Sequence, residues 1–345
     1  MLRKLCVLSS LFLAFALSAF AQDSRHFTFH YAFTARNLPA GKKVRIWIPA
    51  AQSDAYQEVK IASIQGDLPL KKTSESKYGN QIYYAETPSS AQPELHFDVE
   101  YEVIRHERVA LGQTAPRVVA VSLTSTEKQQ DLQPDALVPV TGLPADLAAK
   151  VTQGKTQSLD KARAIYDYVF TTMRYDKTGT GWGHGDVLYA CDAKKGNCTD
   201  FHSLFIAMAR SQGIPARFEI GFPLPPDKHS AEIAGYHCWS DFYIDGKGWI
   251  PVDISEAWKH QEKRDYFFGS HDVNRMQFSL GRDLRLNPPQ EGKPLNYFVY
   301  PYVEVDGREF PNVSLAFSFA DVGAAVTRDS LDRFSLVEGK NSGKE

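Results

Sequence analysis

The sequence predicts an α+β protein, on three observations. Short β-type runs crowd the stretch from about Arg25 to Arg108, apolar residues recur at helical spacing from residue 159 to 173 and again from 201 to 208, and strand-like runs follow at once. The 345-residue length suits two domains better than one.

The leading runs HFTFHYAF, KKVRIWIP, NQIYYAE and ELHFDVEYEVIR are separated by Gly, Pro, Asn and Ser clusters, which is the pattern of a β-sandwich. Residues 116–144 are irregular and contain proline, and read as a linker ending near TGLPAD. Ser158 stands where it can cap a helix with apolar positions Leu159, Ala162, Ile165, Tyr166, Val169, Phe170 and Met173. The following TGTGWGHGD has four glycines but lacks the Gly-Lys-Ser/Thr ending of a phosphate loop, and reads as a flexible loop.

In GNCTDFHSLFIAMARSQGIPAR, Phe201, Leu204, Phe205 and Met208 fall at i, i+3, i+4 and i+7, and Gly213 and Pro215 stop the helix. Cys198 therefore lies at a helix N-terminus, with Asn197 as cap. RFEIGF, HCWSDFYI and WIPVDI read as strands, the last two joined by the hairpin signal Asp245-Gly246-Lys247-Gly248. A second β-like region runs from Arg275 to about Asp321, with LNYFVYPYVEVDG and NVSLAFSF, and VEGKNSGKE reads as a disordered tail.

The N-terminal MLRKLCVLSSLFLAFALSAFA carries Arg3 and Lys4, an apolar run too short to span a membrane comfortably, and Ala19-Phe20-Ala21. These features predict a secretory signal over residues 1–21 cut before Gln22, hence a secreted or periplasmic protein with no stable membrane anchor. Cys6 leaves with the leader. The formal charge of −2 would then become −4, and nothing in the charge pattern suggests a nucleic-acid partner. Three cysteines remain, Cys191, Cys198 and Cys238, an odd number for an oxidising compartment.

Cys198 has four readings: a buried thiol, half of a disulfide, a metal ligand or a nucleophile. For any one cysteine the buried structural role is the commonest, but a helix N-terminus favours the thiolate, and a histidine and a carboxylate follow in strands. Alternation puts His237, Trp239, Asp241 and Tyr243 on one face of HCWSDFYI. With an odd number of loop residues, Asp253 at the end of the partner strand shares that face, opposite or diagonal to His237. Asp241 is the rival orienter, but four residues along one strand set it roughly 13 Å away. A zinc site from Cys191, Cys198, His202, His237 and Cys238 lacks CxxC or HExxH spacing. No acidic calcium-loop spacing is visible, and no cofactor is implied.

Gly196-x-Cys198, the helix ending Gly213-Ile-Pro-Ala-Arg217, Tyr236-His237-x-Trp239 and Gly248-Trp249-x-Pro-x-Asp253 together resemble the core of the transglutaminase-like superfamily of papain-like cysteine enzymes, over about residues 155 to 260. The resemblance implies a papain-like transglutaminase core and acyl transfer through a thioester. Cys198 would be nucleophile, His237 base and acid, and Asp253 orienter. The Cys198 backbone N–H is the natural first oxyanion donor. Animal cross-linking members use an upstream tryptophan as the second, and Trp182 is the tryptophan available here, at a different spacing.

The implied organisation is a signal at 1–21, a β-sandwich at 22–135, a catalytic domain at 136–275, a β-rich C-terminal extension at 276–335 and a tail at 336–345. His184 in the Gly-rich loop is a candidate to line the cleft, against the commoner reading of an ordinary loop residue. His202 reads as a helical histidine satisfied in the core or exposed, Trp239, Trp249 and Phe242 as core, and Asp200 as a first-turn carboxylate favoured by the helix dipole. Because Cys198 must stay free and Cys238 faces away from His237, Cys191 and Cys238 are expected to be bridged or both buried. The leading functional reading is a cysteine hydrolase of peptide or protein amides. Acyl transfer to an amine and a non-catalytic peptide- or glycan-binding module are the alternatives. The sequence leaves the oligomeric state open.

Overall fold

Aromatic residues at every second position give the strand Ser24–Arg36 its inner face: Phe27, Phe29, Tyr31 and Phe33 are buried, while His26, Thr28 and His30 look outward. The computed structural model describes residues 23–112 and 122–323. The expected signal 1–21 with its cut before Gln22, and the expected tail 336–345, lie outside them, as do residues 116–121 of the expected linker.

Among the described residues, two five-stranded antiparallel sheets form the sandwich. One runs Ser230–Glu232, Val313–Asp321, Ser24–Arg36, Glu94–His106, Gln57–Gly66. The other runs Arg308–Glu309, Tyr302–Val305, Val44–Ala50, Gln81–Thr87, Lys71–Ser74. The boundaries expected at 135 and 276 thus divide the sequence and not the sheets. Val313–Asp321 pairs along Ser24–Arg36 and Tyr302–Val305 along Val44–Ala50, so the two ends of the chain build one sandwich.

The expected linker is not wholly irregular. Thr124 and Glu127 form a reciprocal capping box that starts a helix at Ser125–Gln130, and Leu143–Val151 begins inside TGLPAD. Ser158 is the first residue of the helix Ser158–Thr172 rather than its cap, and Gln157 at the cap makes no side-chain bond.

The helices Cys198–Ser211 and Ser158–Thr172 pack on a four-stranded antiparallel sheet in the order Gly248–Val252, His237–Ile244, Ala216–Pro223, Arg275–Leu280. The helix Cys198–Ser211 is buried from Cys198 to Arg210, enclosed by neighbouring helices and this sheet. It ends as the sequence indicates: Gly213 takes φ +75° and Ile214 N–H bonds back to Ala209 O at 3.0 Å. At Gly221 the pairing register with Arg275–Leu280 shifts, and a Cβ there would meet Met276 O at 1.9 Å, so the close approach requires glycine.

Sandwich and core share one hydrophobic cluster. Phe29, Tyr31 and Tyr101 of the sandwich pack on Phe222 and Phe278 of the core sheet, with ring centroids 5.1 to 6.1 Å apart. A buried charge cluster reinforces this junction. Arg108, just beyond the sandwich strand Glu94–His106, donates both to Asp241 Oδ1 and Oδ2, at 3.1 and 3.0 Å, and to Trp249 O. Arg217 reaches Asp241 from the core side at 2.9 Å. Asp241 is thus fully engaged away from His237.

Neutralising Asp241 would leave two guanidinium groups with Glu219 as their one remaining salt-bridge partner among the described residues. Asp241→Asn is expected to lower unfolding stability by about 3–5 kcal/mol, measured by urea denaturation. A change under about 1 kcal/mol would remove the pair from the account of the junction.

Candidate active site

The start of the Cys198 helix is fixed by a second capping box. Asn197 Oδ1 accepts from Thr199 N–H at 2.9 Å, the Asn197 side chain also takes the Asp200 N–H, and Asp200 Oδ2 accepts from Asn197 N–H at 2.9 Å. With the second and third N–H groups taken by Asn197, the Cys198 N–H is the first-turn donor left aimed outward at the thiol end.

Asp200 does more than the helix dipole alone suggests. Its buried carboxylate accepts from Gly183 N–H at 2.7 Å and Gly185 N–H at 3.0 Å, gathering the Gly-rich loop onto the helix. Gly196, at φ +156°, leaves the space that carboxylate fills: a Cβ there would lie 2.1 Å from Asp200 Oδ2. Arg282 holds the same loop through His184 O at 2.7 Å and Gly185 O at 3.0 Å. The loop expected to be flexible is therefore anchored from two sides. Within it the Trp182 N–H donates to Gly179 O at 3.1 Å, so this proposed oxyanion donor is occupied by its own loop, and the His184 side chain is exposed.

The hairpin supplies the other two groups. Its loop is Asp245 to Lys247, three residues, and the pairing Ser240↔Val252 continued by one step sets Asp253 opposite Trp239, diagonal to His237 on the same face. His237 Nε2 lies 2.7 Å from Asp253 Oδ2. That leaves Nδ1 for the thiol of Cys198, with which the imidazole is hydrogen-bonded. Trp239 lies beside the imidazole, ring centroids 5.8 Å apart, with Arg275 over the indole at 4.8 Å.

The electrostatics sharpen this arrangement. Burial would lower the His237 pKa, but the Asp253 carboxylate and the Cys198 sulfur outweigh it and push it up to about 10. Burial would raise the Cys198 thiol, yet hydrogen bonds from Cys238 and His237 and the imidazolium charge hold it well below the ordinary thiol range. Burial likewise opposes the charge on Asp253, and His237 and Arg275 keep it ionised. The pair at rest is thiolate and imidazolium.

Three participants take roles the sequence reading did not give them. Arg275 Nη1 donates to Asp253 Oδ2 at 2.9 Å, from a strand beyond the recognised motifs. Cys238 stands against Cys198, buried, and burial together with its bond to Cys198 raises its own thiol well above the usual value. Tyr236 OH accepts from Asn197 Nδ2 at 3.0 Å and lies 2.9 Å from Thr199 Oγ1, tying the strand to the helix start. His202 is satisfied in the core, with Nδ1–H donating to Cys198 O at 2.7 Å and Nε2 accepting from Ile254 N–H at 3.0 Å. Burial pushes its pKa down to about 4, in keeping with that neutral tautomer.

The cysteine pairing differs from expectation. Cys191, Cys198 and Cys238 are all free, Cys191 is only half buried, and the neighbour of Cys238 is Cys198. The alternation that turns Cys238 from His237 points it under the helix carrying Cys198. Among the described residues no group of His, Cys, Asp and Glu has metal-holding geometry.

A cleft of about 570 Å³ runs along His237, bordered by Tyr175, Lys177, Tyr236, Lys259 and Phe267. Cys198, hydrogen-bonded to His237, is 3% exposed.

Comparison with known proteins adds relatives to this geometry. An uncharacterized protein of Haemophilus influenzae is 29% identical over 310 residues, covering 78% of this chain and 83% of that one. The uncharacterized protein YebA of Bacillus subtilis is 28% identical over 125 residues, a match that spans 32% of this chain and 17% of YebA. A solved structure, "a Putative Cysteine Protease from Cytophaga hutchinsonii", superposes with a TM-score of 0.56 at 16% identity, over 88% of this chain and 93% of that one, which shows a shared fold. The model of the "Transglutaminase-like superfamily" matches residues 145–254, the segment that holds Cys198, His237 and Asp253.

Proposed function

We propose that the protein is an exported cysteine hydrolase that cleaves a peptide or protein amide through a thioester on Cys198. One observation carries the reading: a single imidazole, held by Asp253 through Nε2, faces a thiol at a helix N-terminus whose first N–H is unclaimed by the cap. Export rests on the sequence of the leader.

In this reading the Cys198 thiolate attacks the amide carbonyl, and the oxygen that becomes negative meets the Cys198 N–H. His237 then gives its proton to the departing amine, leaving the acyl group on sulfur and the imidazole neutral. Water attacks the thioester while His237 takes a proton from it, and the acid leaves as the thiolate returns. Asp253 keeps the ring oriented and its positive form stable. Arg275 is a positioning residue that acts through Asp253.

Water as the acceptor is favoured by the cleft. The Gly-rich loop is anchored, but the cleft beside His237 is bordered by Lys177, Glu232, Lys259 and Lys263 and opens to solvent. An amine at millimolar concentration competes with water at about 55 M unless the enzyme positions it.

Offering a labelled primary amine with peptide or protein amide donors tests both chemistry and acceptor. Free acid is expected to dominate, and Cys198→Ala to abolish its formation. Turnover surviving in Cys198→Ala would remove the nucleophile, and predominant Cys198-dependent amine conjugate would convert the reading to amine transfer.

The charge state has its own test. With the thiol lowered and His237 raised, the ion pair persists up to the imidazole's loss of its proton at about pH 10. Alkylation of Cys198 by iodoacetamide, followed by peptide mapping, is expected to change less than about twofold between about pH 6 and pH 9. An ordinary thiol would instead accelerate roughly tenfold per unit up to about pH 8.5.

Asp253→Asn is expected to cost on the order of 10⁴-fold in rate by setting the wrong tautomer. It should also cost about 3–5 kcal/mol of stability, because buried Arg275 loses its fully buried counter-ion and keeps the part-exposed Asp272, at 3.5 Å. Combining it with Arg275→Met is expected to recover the stability and leave the rate low. Recovery of both would make Asp253 a purely structural residue.

A further inference from the structure

Two free thiols lie in contact under the helix start, and hydrolysis uses only one. Cys238 Sγ is 3.7 Å from Thr199 Oγ1 and 3.9 Å from His202 Nδ1, the nitrogen that itself bonds Cys198 O at 2.7 Å. These distances triangulate the second sulfur beneath the first turn, where it is hydrogen-bonded to Cys198 Sγ. Cys238 is fully buried, whereas Cys198 keeps 3% of its surface exposed. A small oxidant arriving from solvent meets Cys198 first.

We propose that Cys198 and Cys238 are a peroxide-modified pair that closes into a reversible disulfide, switching the nucleophile off and shielding it from further oxidation. The resting thiolate is the form that attacks a peroxide, and it breaks the O–O bond. One oxygen joins sulfur as Cys198 sulfenic acid. The other leaves as hydroxide, takes the proton of the His237 imidazolium and departs as water. The Cys238 sulfur then attacks the Cys198 sulfur, a second water leaves with the Cys238 proton, and the S–S bond forms. The peroxide is reduced, and the two thiols are oxidised by two electrons in all. A partner already in contact makes ring closure fast relative to a second peroxide, which would carry a lone sulfenic acid on to the irreversible sulfinic acid. A thiol between His237 and Trp239 thus serves a purpose that packing alone does not require: a buried alanine or valine would fill it.

The third cysteine is the internal control. Cys191 sits on the separate helix Val187–Ala193, half buried, with burial pushing its thiol up to about 11. It is neither the preferred target nor the partner.

The test treats the purified full chain with hydrogen peroxide, maps its peptides without reduction and then adds dithiothreitol. In the wild type a Cys198–Cys238 peptide is expected, with full recovery of Cys198 alkylation after reduction. In Cys238→Ala, and in Cys238→Ser as a second variant should the first fold poorly, Cys198 is expected to proceed to sulfinic acid, with no recovery. Cys191→Ala is expected to behave as wild type. A wild-type disulfide to Cys191, or Cys198 sulfinic acid beside a free Cys238 thiol, overturns the proposal. The readout is mass and thiol reactivity, so the result stands apart from whether the protein hydrolyses amides.

Discussion

The buried carboxylate of Asp253 is the constraint on which the rest of the site depends. An ionised group with no exposed surface is costly, by several kcal/mol, unless every lone pair finds a donor. Here Oδ2 takes His237 and Arg275, and Oδ1 takes Ser255 Oγ at 3.1 Å and Glu256 N–H at 3.0 Å. The last of these also caps the short helix Ile254–Lys259. One group therefore ends a strand, begins a helix, orients an imidazole and sets its charge. Since the raised His237 helps to lower Cys198, the ionisation of the thiol is itself a consequence of where Asp253 sits.

That dependence explains why the hairpin was legible from the sequence. A two-residue period and an odd loop are enough to place His237 and Asp253 on one face, because a strand offers only two faces. Helical spacing, with Gly213 and Pro215 as stops, placed Cys198 equally well. Both arguments use local periodicity, and both groups sit within one hairpin or one helix. Arg275 was not legible by the same means. It lies 22 residues from Asp253 in sequence, and no local pattern distinguishes an arginine that will be buried against a carboxylate from one that will face water. A usable signal existed in the bare arithmetic of burial, since a carboxylate committed to the core at the end of WIPVD demands a cation from somewhere.

Other features failed to show for different physical reasons. Sheet neighbours are long-range, so nothing in NVSLAFSF announces that it pairs with the first strand of the chain. The Gly-rich loop was read from composition as flexible, whereas its rigidity comes from Asp200 and Arg282, side chains outside it. Cys238 was judged by which face of its own strand it occupied. The strand is covered on that face by the Cys198 helix, so turning away from His237 along the strand brought it toward the same sulfur.

The sandwich bears on the site through charge as well as packing. Arg108 meets Asp241 on the strand that carries His237, and Arg217 and Glu219 from the neighbouring strand join the same cluster, with Trp239 donating to Glu219 from beside the imidazole. A shift of the sandwich against the core would therefore separate buried opposite charges two strand positions or fewer from the residue that flanks His237. Such a shift is opposed electrostatically where the dielectric is low, and more strongly than by an apolar contact of equal area. The terminal strands that close the sandwich thus contribute to holding the imidazole, although none of their residues touches it.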